Sequence, residues 1–156
     1  MKMGQEEGDA GGIDDGDAET PRVKRRDLLY PKESFEIKAA CIAVHEELGS
    51  GFLEKVYENA LTHELCKRGF AVTQQATLDV FYDGKQVGQY FADLLVDGRF
   101  IVEIKASEHD HPVYEAQLIN YLKATGIEVG LLINFAVPKM DYRRLARTKY
   151  QRVRST

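Results

Sequence analysis

The sequence has no long hydrophobic run. Among its 156 residues, no apolar segment approaches the roughly 18 residues that a membrane helix needs. The most apolar stretch, residues 130–137, has Asn134 inside it. The first residues also lack the apolar region of a secretory signal. We therefore expect no membrane partner, no secretion and a cytoplasmic location.

Cysteine is scarce as well. The chain has two cysteines, Cys41 and Cys66, and their spacing is not CxxC. Two thiols are too few for a four-cysteine iron–sulfur centre, and they do not form the pattern of a zinc site or a disulfide framework. Both fall in segments with helical periodicity, so we expect buried, reduced thiols.

The composition is that of one globular domain, at 44% hydrophobic and 29% charged residues. Its charge is strongly segregated. Residues 1–20 carry seven acids and a single base, and they hold too few apolar side chains to form a core. Residues 139–156 carry seven bases and one acid. We predict a disordered acidic tail at 1–20, a basic linker at 21–32, the folded domain at 33–138 and a basic C-terminal segment at 139–156.

This charge pattern has two interpretations. An acidic domain between basic arms suits a polyanion that must also meet carboxylates, for example through a metal. Solvated termini on a solvated surface explain the same pattern, and charge alone favours that simpler interpretation.

Hydrophobic periodicity predicts an α/β domain. Apolar residues at helical spacing indicate helices at 33–48 and 52–68, and Gly49 and Gly69 follow them. Strand-like segments at 70–81 and 86–96 flank a hairpin signal, and 99–106 forms a third strand. A helix at 112–124, a buried strand at 127–135 and a basic helix at 140–152 complete the prediction. The predicted order is α-α-β-β-β-α-β-α, a mixed sheet with helices on its faces.

Three charged residues interrupt this apolar pattern. Glu103 and Lys105 lie at i and i+2 in the buried third strand, hence on one face, and Asp93 lies near the end of the preceding strand. A Glu103–Lys105 salt bridge would explain two of these charges and leave the third unexplained. A metal site explains all three, since two carboxylates bind a hard divalent cation and an ammonium beside them orients or activates a water.

A shared cation also requires a particular strand register. Asp93 and Glu103 must face the same way, which a direct pairing of the two residues achieves. That pairing leaves residues 97–99 as a three-residue loop. The two-residue loop Asp97-Gly98 is the stronger local turn signal, but it would turn Glu103 to the opposite face. We predict the three-residue loop.

The sequence resembles the PD-(D/E)XK nuclease superfamily, in which an Asp ends one strand and Glu-x-Lys lies on the next. Asp93 and Glu103-Ile104-Lys105 match that pattern. Residues 51–57, Gly-Phe-Leu-Glu-Lys-Val-Tyr, are similar to the GxxExxY signature that names one family of this superfamily. Blocks at 44–49, 91–96, 117–122 and 130–135 resemble that family in the same order, so the resemblance covers about residues 35–135.

The resemblance implies a restriction-endonuclease-like fold and a nuclease that uses Mg²⁺ or Mn²⁺. It does not imply a substrate, and our own expectation is nucleic acid, with DNA favoured. The resemblance also implies that Asp93, Glu103 and the Ile104 carbonyl ligate the metal and that Lys105 holds the attacking water. The remaining candidates are Glu54 as an acidic residue of the metal site, His45 as an extra ligand, and Gln117 and Tyr121, which are similar to the QxxxY motif of RecB-like nucleases.

Each of these candidates has a structural alternative. Glu54 lies three residues after Gly51 and resembles half a capping box at a helix start. Tyr57 is expected to pack in the core with its hydroxyl bonded. For the whole protein, two alternatives remain: a binding module that kept the fold and lost the chemistry, and a regulatory protein whose acidic tail covers its basic arms.

Overall fold

The computed structural model describes residues 29–109, 112–136 and 139–146. Within these residues the chain forms three helices and five strands. In chain order they are α1 (Pro31–Leu48), α2 (Glu54–Lys67), β1 (Val72–Tyr82), β2 (Lys85–Val96), β3 (Phe100–Lys105), α3 (Pro112–Thr125), β4 (Val129–Asn134) and β5 (Asp141–Ala146). The predicted mixed α/β fold is confirmed, and it is consistent with a restriction-endonuclease-like architecture.

The five strands form one mixed sheet in the order β1-β2-β3-β4-β5. Strands β3 and β4 run parallel, and every other neighbouring pair is antiparallel. Parallel neighbours need a crossover connection, and α3 lies within it. Because β3 and β4 are covered on both sides, their sequences are nearly continuous apolar runs.

The sheet lies between two helical layers. Helices α1 and α2 pack on one face, in a cluster that includes Ile37, Tyr57, Leu61 and Phe100. Helix α3 packs on the other face through Leu118 and Leu122, against Ile101 and Leu132. A Cβ on Gly130 would lie 2.9 Å from Leu118 side-chain atoms, so the missing side chain lets α3 approach β4 closely.

Two tight loops set the strand register. Asp83 and Gly84 both have positive φ, as a two-residue hairpin turn requires. The β2–β3 connection is the predicted three-residue loop, because Leu94, Leu95 and Val96 pair with Val102, Ile101 and Phe100. Asp97 and Gly98 have φ of 54° and 66°. The predicted register is confirmed over these three pairs.

The last described element differs from the prediction. We predicted a basic helix over 140–152, but Asp141–Ala146 forms strand β5, antiparallel to β4. Tyr142 packs with the α1 layer and Leu145, three residues later, packs with the α3 layer. Residues an odd number apart point to opposite faces of a strand, so this packing follows the alternation of a strand. Without β5, the edge of β4 would present unpaired backbone groups. This tertiary requirement outweighs the helical interpretation of a basic segment.

The structure also corrects one cysteine. Cys41 is buried as predicted, and its pKa is raised by burial, whereas Cys66 is exposed. In the described part of the chain, no helix is long and apolar enough to cross a membrane. The predicted acidic tail at 1–20, most of the basic linker and the segment beyond Ala146 lie outside the described residues.

Candidate active site in the fork between two strands

Strands β2 and β3 separate just where the predicted carboxylates lie. Their ladder ends at Leu94 and Val102, one pair before Asp93 and Glu103. Asp93 continues the connection with its side chain, since its Oδ2 accepts a hydrogen bond from the Ile104 amide at 2.8 Å. Beyond that point β2 stays with β1, and β3 pairs with β4. The result is a fork with Asp93 on one branch and Glu103 on the other.

Glu103 is largely buried and faces the α3 layer. It follows Ile101 by two residues, and Ile101 belongs to the α3-side cluster. Burial and the nearby charge of Asp93 raise the pKa of Glu103 to about 8, although the Tyr90 hydroxyl and Lys105 partly oppose that rise. Two carboxyl groups therefore interact electrostatically in this fork.

Lys105 lies on the same face of β3 as Glu103, and its Nζ lies 4.3 Å from the centroid of the Tyr114 ring. Within the described residues, no ion pair joins Lys105 to Glu103. The simple structural salt bridge is therefore not formed. A cation–π contact holds the Lys105 ammonium over the Tyr114 ring without neutralising it.

The residues around Lys105 are held in place by buried polar contacts. The Lys105 carbonyl accepts a hydrogen bond from the Phe135 amide at 2.9 Å. Asn134, which is 9% exposed, donates to the Ser107 carbonyl at 2.8 Å and accepts from the Ala136 amide at 3.0 Å. These bonds fix the direction in which the chain leaves β3.

Two tyrosines support Glu103 from the α3 side. The Tyr90 hydroxyl donates a hydrogen bond to Glu103 Oε1. The Tyr90 ring stacks on Tyr121 with centroids 3.4 Å apart and planes 7° apart. Burial and the Glu103 charge raise the pKa of Tyr90, so its hydroxyl stays protonated and can donate. Tyr121 of the predicted Gln117–Tyr121 pair thus reaches the site through Tyr90, whereas Gln117 is exposed on α3.

The helix preceding the sheet links Glu58, and not the predicted Glu54, to Asp93 through a hydrogen-bonded side chain. Glu54 is exposed at the first position of α2. Glu58, one turn later, is 4% exposed, and its Oε1 accepts a hydrogen bond from Gln75 Nε2 at 2.9 Å. The same Nε2 lies 3.3 Å from Asp93 Oδ1.

Sequence reasoning missed Glu58, although a signal was present. Glu58 precedes Leu61 by three residues and Leu65 by seven, so it lies on the buried stripe of α2. An acid on a buried helical stripe is the same anomaly as Glu103 in a buried strand. The structural alternative for Glu54, a capping box with Gly51 as the N-cap, is not formed either, because the N-cap of α2 is Leu53.

The signature residue Tyr57 has the predicted structural role. It is fully buried and stacks on Phe135 with ring centroids 4.5 Å apart. Its hydroxyl donates to the Gly49 carbonyl at 2.6 Å and accepts from the Phe52 amide at 3.3 Å. Tyr57 therefore fixes the loop between α1 and α2.

The structure places His45 away from the fork. Its ring lies 6.1 Å from that of Phe135, which belongs to the α1–α2 layer, on the side of the sheet opposite Glu103. His45 also borders a cleft of about 480 Å³ lined by Lys38, Ile42, Glu46, Lys139, Met140, Asp141 and Tyr142. That cleft does not include the Asp93, Glu103 and Lys105 side chains.

Part of the basic C-terminal segment has a structural role. Arg143 pairs with Glu115 at 2.6 Å and with Asp141 at 3.0 Å. Arg144 donates to Ser34 Oγ at 3.1 Å and to the Leu29 carbonyl. These two arginines connect β5 to helices α3 and α1, so both guanidinium groups already have partners within the protein.

Comparison with known proteins identifies the superfamily. A family model of the PD-(D/E)XK nuclease superfamily matches residues 31–145, which is most of the chain. The chain belongs to the PD-(D/E)XK nuclease superfamily. Asp93, Glu103 and Lys105 all lie within the matched range, which also extends through most of β5.

Other comparisons add little to this PD-(D/E)XK assignment. A solved protein, described as "Crystal structure of SSO0001", is similar with a TM-score of 0.46 and 18% identity over 83% of this chain. The match spans 66% of that protein's length. No curated protein matches the sequence.

The fork fits the modest protein ligand set that Mg²⁺ prefers. Within residues 29–109, 112–136 and 139–146, no three His, Cys, Asp or Glu side chains converge as a metal-binding group. Mg²⁺ is commonly bound by one or two carboxylates, with water and substrate phosphate completing its shell. Asp93 and Glu103, with a backbone carbonyl on β3, are hard oxygen donors of that kind.

Proposed function

We propose that this PD-(D/E)XK protein hydrolyses phosphodiester bonds in nucleic acid, with DNA as the favoured substrate, and that Mg²⁺ or Mn²⁺ is its cofactor. The observation that carries the proposal is the position of Asp93 and Glu103 on the two branches of the fork, where burial of Glu103 and the nearby charge of Asp93 raise the pKa of Glu103 to about 8. Mutual repulsion of two acids in one site is relieved when a divalent cation binds between them. The superfamily match supports the same chemistry.

We assign roles to the residues by their positions. Asp93, Glu103 and the Ile104 carbonyl would hold the cation, which supplies charge stabilisation on the phosphate oxygens. Lys105 would hold the attacking water and offset the negative charge that develops on the phosphate. Tyr90 would orient Glu103 through its hydroxyl, and Tyr121 would keep the Tyr90 ring in place.

For the acidic residue that α2 supplies to the site, we propose Glu58 instead of Glu54. Glu58 is buried and linked to Asp93 through Gln75, while Glu54 is exposed. A buried carboxylate that reaches a metal ligand through one intervening side chain helps to orient that ligand, here Asp93 through Gln75. We also propose membership of the GxxExxY family on the residues 51–57, whereas the cytoplasmic location stays a prediction.

The test is a cleavage panel of single- and double-stranded DNA and RNA with Mg²⁺ or Mn²⁺. We expect wild-type cleavage with one of these cations and a loss of at least about 100-fold in Lys105→Ala. Lys123→Ala is the matched control, since it removes an exposed lysine from α3. Cleavage that persists in Lys105→Ala, or a wild-type protein inactive on every substrate, would refute the proposal.

A binding module without catalysis is the second candidate, and one observation favours it. Both fork carboxylates already accept hydrogen bonds from protein groups: Asp93 from Gln75 and the Ile104 amide, and Glu103 from Tyr90. A closed network of this kind can persist without a cation. Nucleic-acid binding that is unchanged by Mg²⁺, Mn²⁺ or EDTA, with no cleavage, would establish this candidate instead.

A further inference from the structure

Gln75 has an unusual backbone in the middle of strand β1. Its φ is 51°, although it is not glycine and lies inside a strand. Its neighbours Gln74 and Ala76 pair with Leu94 and Ala92, but Gln75 and the opposing Asp93 are not paired in the ladder. A left-handed residue in a strand is strained and persists where its surroundings hold it.

The Gln75 side chain joins two acids from different elements. Its Nε2 lies 2.9 Å from Glu58 Oε1 and 3.3 Å from Asp93 Oδ1. A carboxamide nitrogen carries two protons, so it can donate to both oxygens at once. Glu58 also accepts from Lys55 at 3.2 Å and Gln74 at 3.4 Å, and Asp93 also accepts from the Ile104 amide.

The strand faces change phase at the same point. Ala92 packs in the α3-side cluster and Leu94 in the α1–α2 cluster, although residues two apart normally share a face. Asp93 lies at that irregularity, opposite Gln75. The distortion of both strands thus aims the carboxamide between Glu58 and Asp93.

We propose that Gln75 is a positioning residue. In the metal-free protein its amide donates to both Glu58 and Asp93 and so reduces the repulsion between the two acids. When a cation binds, Gln75 gives up its hydrogen bond to Asp93. This inference rests on the proposed function, because it assigns Asp93 to a cation. The amide protons and the cation compete for the same Asp93 oxygen. Gln75 therefore keeps the carboxylates aligned but weakens cation binding.

Two substitutions separate these effects. Gln75→Gly removes the carboxamide and tolerates the positive φ. Gln75→Glu keeps the shape but replaces the donor with a third carboxylate. Gln89→Glu is the matched control, because Gln89 Nε2 also donates to a carboxylate, Asp79 Oδ1, at 3.1 Å, on the exposed part of the same hairpin.

The first measurement is the melting temperature in EDTA. We expect Gln75→Glu to melt at least about 5 °C below wild type, because three acids then meet with too few donors, and Gln89→Glu to melt within about 2 °C of it. Equal melting temperatures for these two variants would show that the Gln75 amide does not hold the carboxylates together, and would overturn the inference.

The second measurement is cation affinity by calorimetric titration with MgCl₂ and MnCl₂. We expect Gln75→Gly to bind about three- to tenfold more tightly than wild type, because no amide competes for Asp93. Unchanged or weaker binding by Gln75→Gly, beside a wild type that binds and an Asp93→Asn variant that does not, would overturn this inference alone. Wild type that binds neither cation would overturn both this inference and the proposed metal dependence.

Discussion

The two faces of β3 differ sharply in chemistry. Phe100, Val102 and Ile104 point into the α1–α2 layer and are fully buried among apolar side chains. Ile101, Glu103 and Lys105 alternate with them and face α3. One six-residue strand thus has a fully buried apolar face on one side and a charged face on the other.

The difference shows how a small domain can contain buried charge. An ion inside an apolar layer has no partner and is strongly unfavourable. The α3 layer supplies partners at the end of β3, namely Tyr90 for Glu103 and the Tyr114 ring for Lys105. The fork between β2 and β3 adds access, because the strands separate there.

The strongest way to break this comparison is to place the charge on the other face. Val102→Glu puts a carboxylate in the α1–α2 layer, one residue from Glu103. We expect a loss of about 4 kcal/mol or more in the free energy of unfolding, because a carboxylate at this fully buried position loses its hydration among apolar side chains. Urea denaturation measures the loss, and Val102→Ala separates lost volume from added charge. Stability within about 1 kcal/mol of Val102→Ala would show that the two faces are equivalent.

Removing the charge of Glu103 from the α3-facing side of β3 should instead raise the free energy of unfolding. The pKa of Glu103 is about 8 in the folded protein, above its ordinary 4.5. Its contribution to stability is therefore complete below pH 4.5 and is lost as the pH rises toward 8. Glu103→Gln cannot ionise, so we expect it to gain about 3 kcal/mol over wild type between pH 5 and pH 8 without metal. Denaturation at both pH values measures the gain, and an equal difference at the two would contradict it.

The close contact between α3 and β4 at Leu118 and Gly130 offers a test of packing on the α3 side of the sheet. Leu118 atoms lie 2.9–3.0 Å from the place of a Gly130 Cβ. We expect Gly130→Ala to lower the free energy of unfolding by about 2 kcal/mol through overpacking. Leu118→Ala in the same chain should recover part of that loss, because it vacates the contact. Full additivity of the two substitutions would show that the contact is not limiting.

The smallest effect is expected from the Tyr57 hydroxyl in the α1–α2 layer. Tyr57→Phe removes the bonds to Gly49 and Phe52 but keeps the stacking on Phe135. We expect a loss of about 1 kcal/mol in the free energy of unfolding. Thermal denaturation measures it, and Tyr57→Leu, which also removes the stacked ring, should lose more.

The sequence by itself determined every described element except β5, and it pointed to the charged residues of the candidate site. Apolar periodicity predicts α1 and α2, because a helix packed on a sheet must bury one stripe. The charges of Glu103 and Lys105 are visible in an otherwise apolar strand, and the need for a shared face predicts the three-residue loop after β2. These are local patterns, which depend only on residues near one another in the chain.

Only the tertiary structure decided the remaining features. Residues 141–146 form strand β5 because the edge of β4 requires a partner. That requirement cannot be seen in the sequence of residues 141–146 alone. Glu58 rather than Glu54 meets Asp93 because the strained Gln75 of β1 reaches both, across a separation that no spacing in the sequence encodes. His45 lies beside Phe135 in the α1–α2 layer, on the side of the sheet opposite Glu103, because packing and not sequence spacing places α1. Contacts between elements distant in the chain depend on packing, and packing is settled only when all layers are in place.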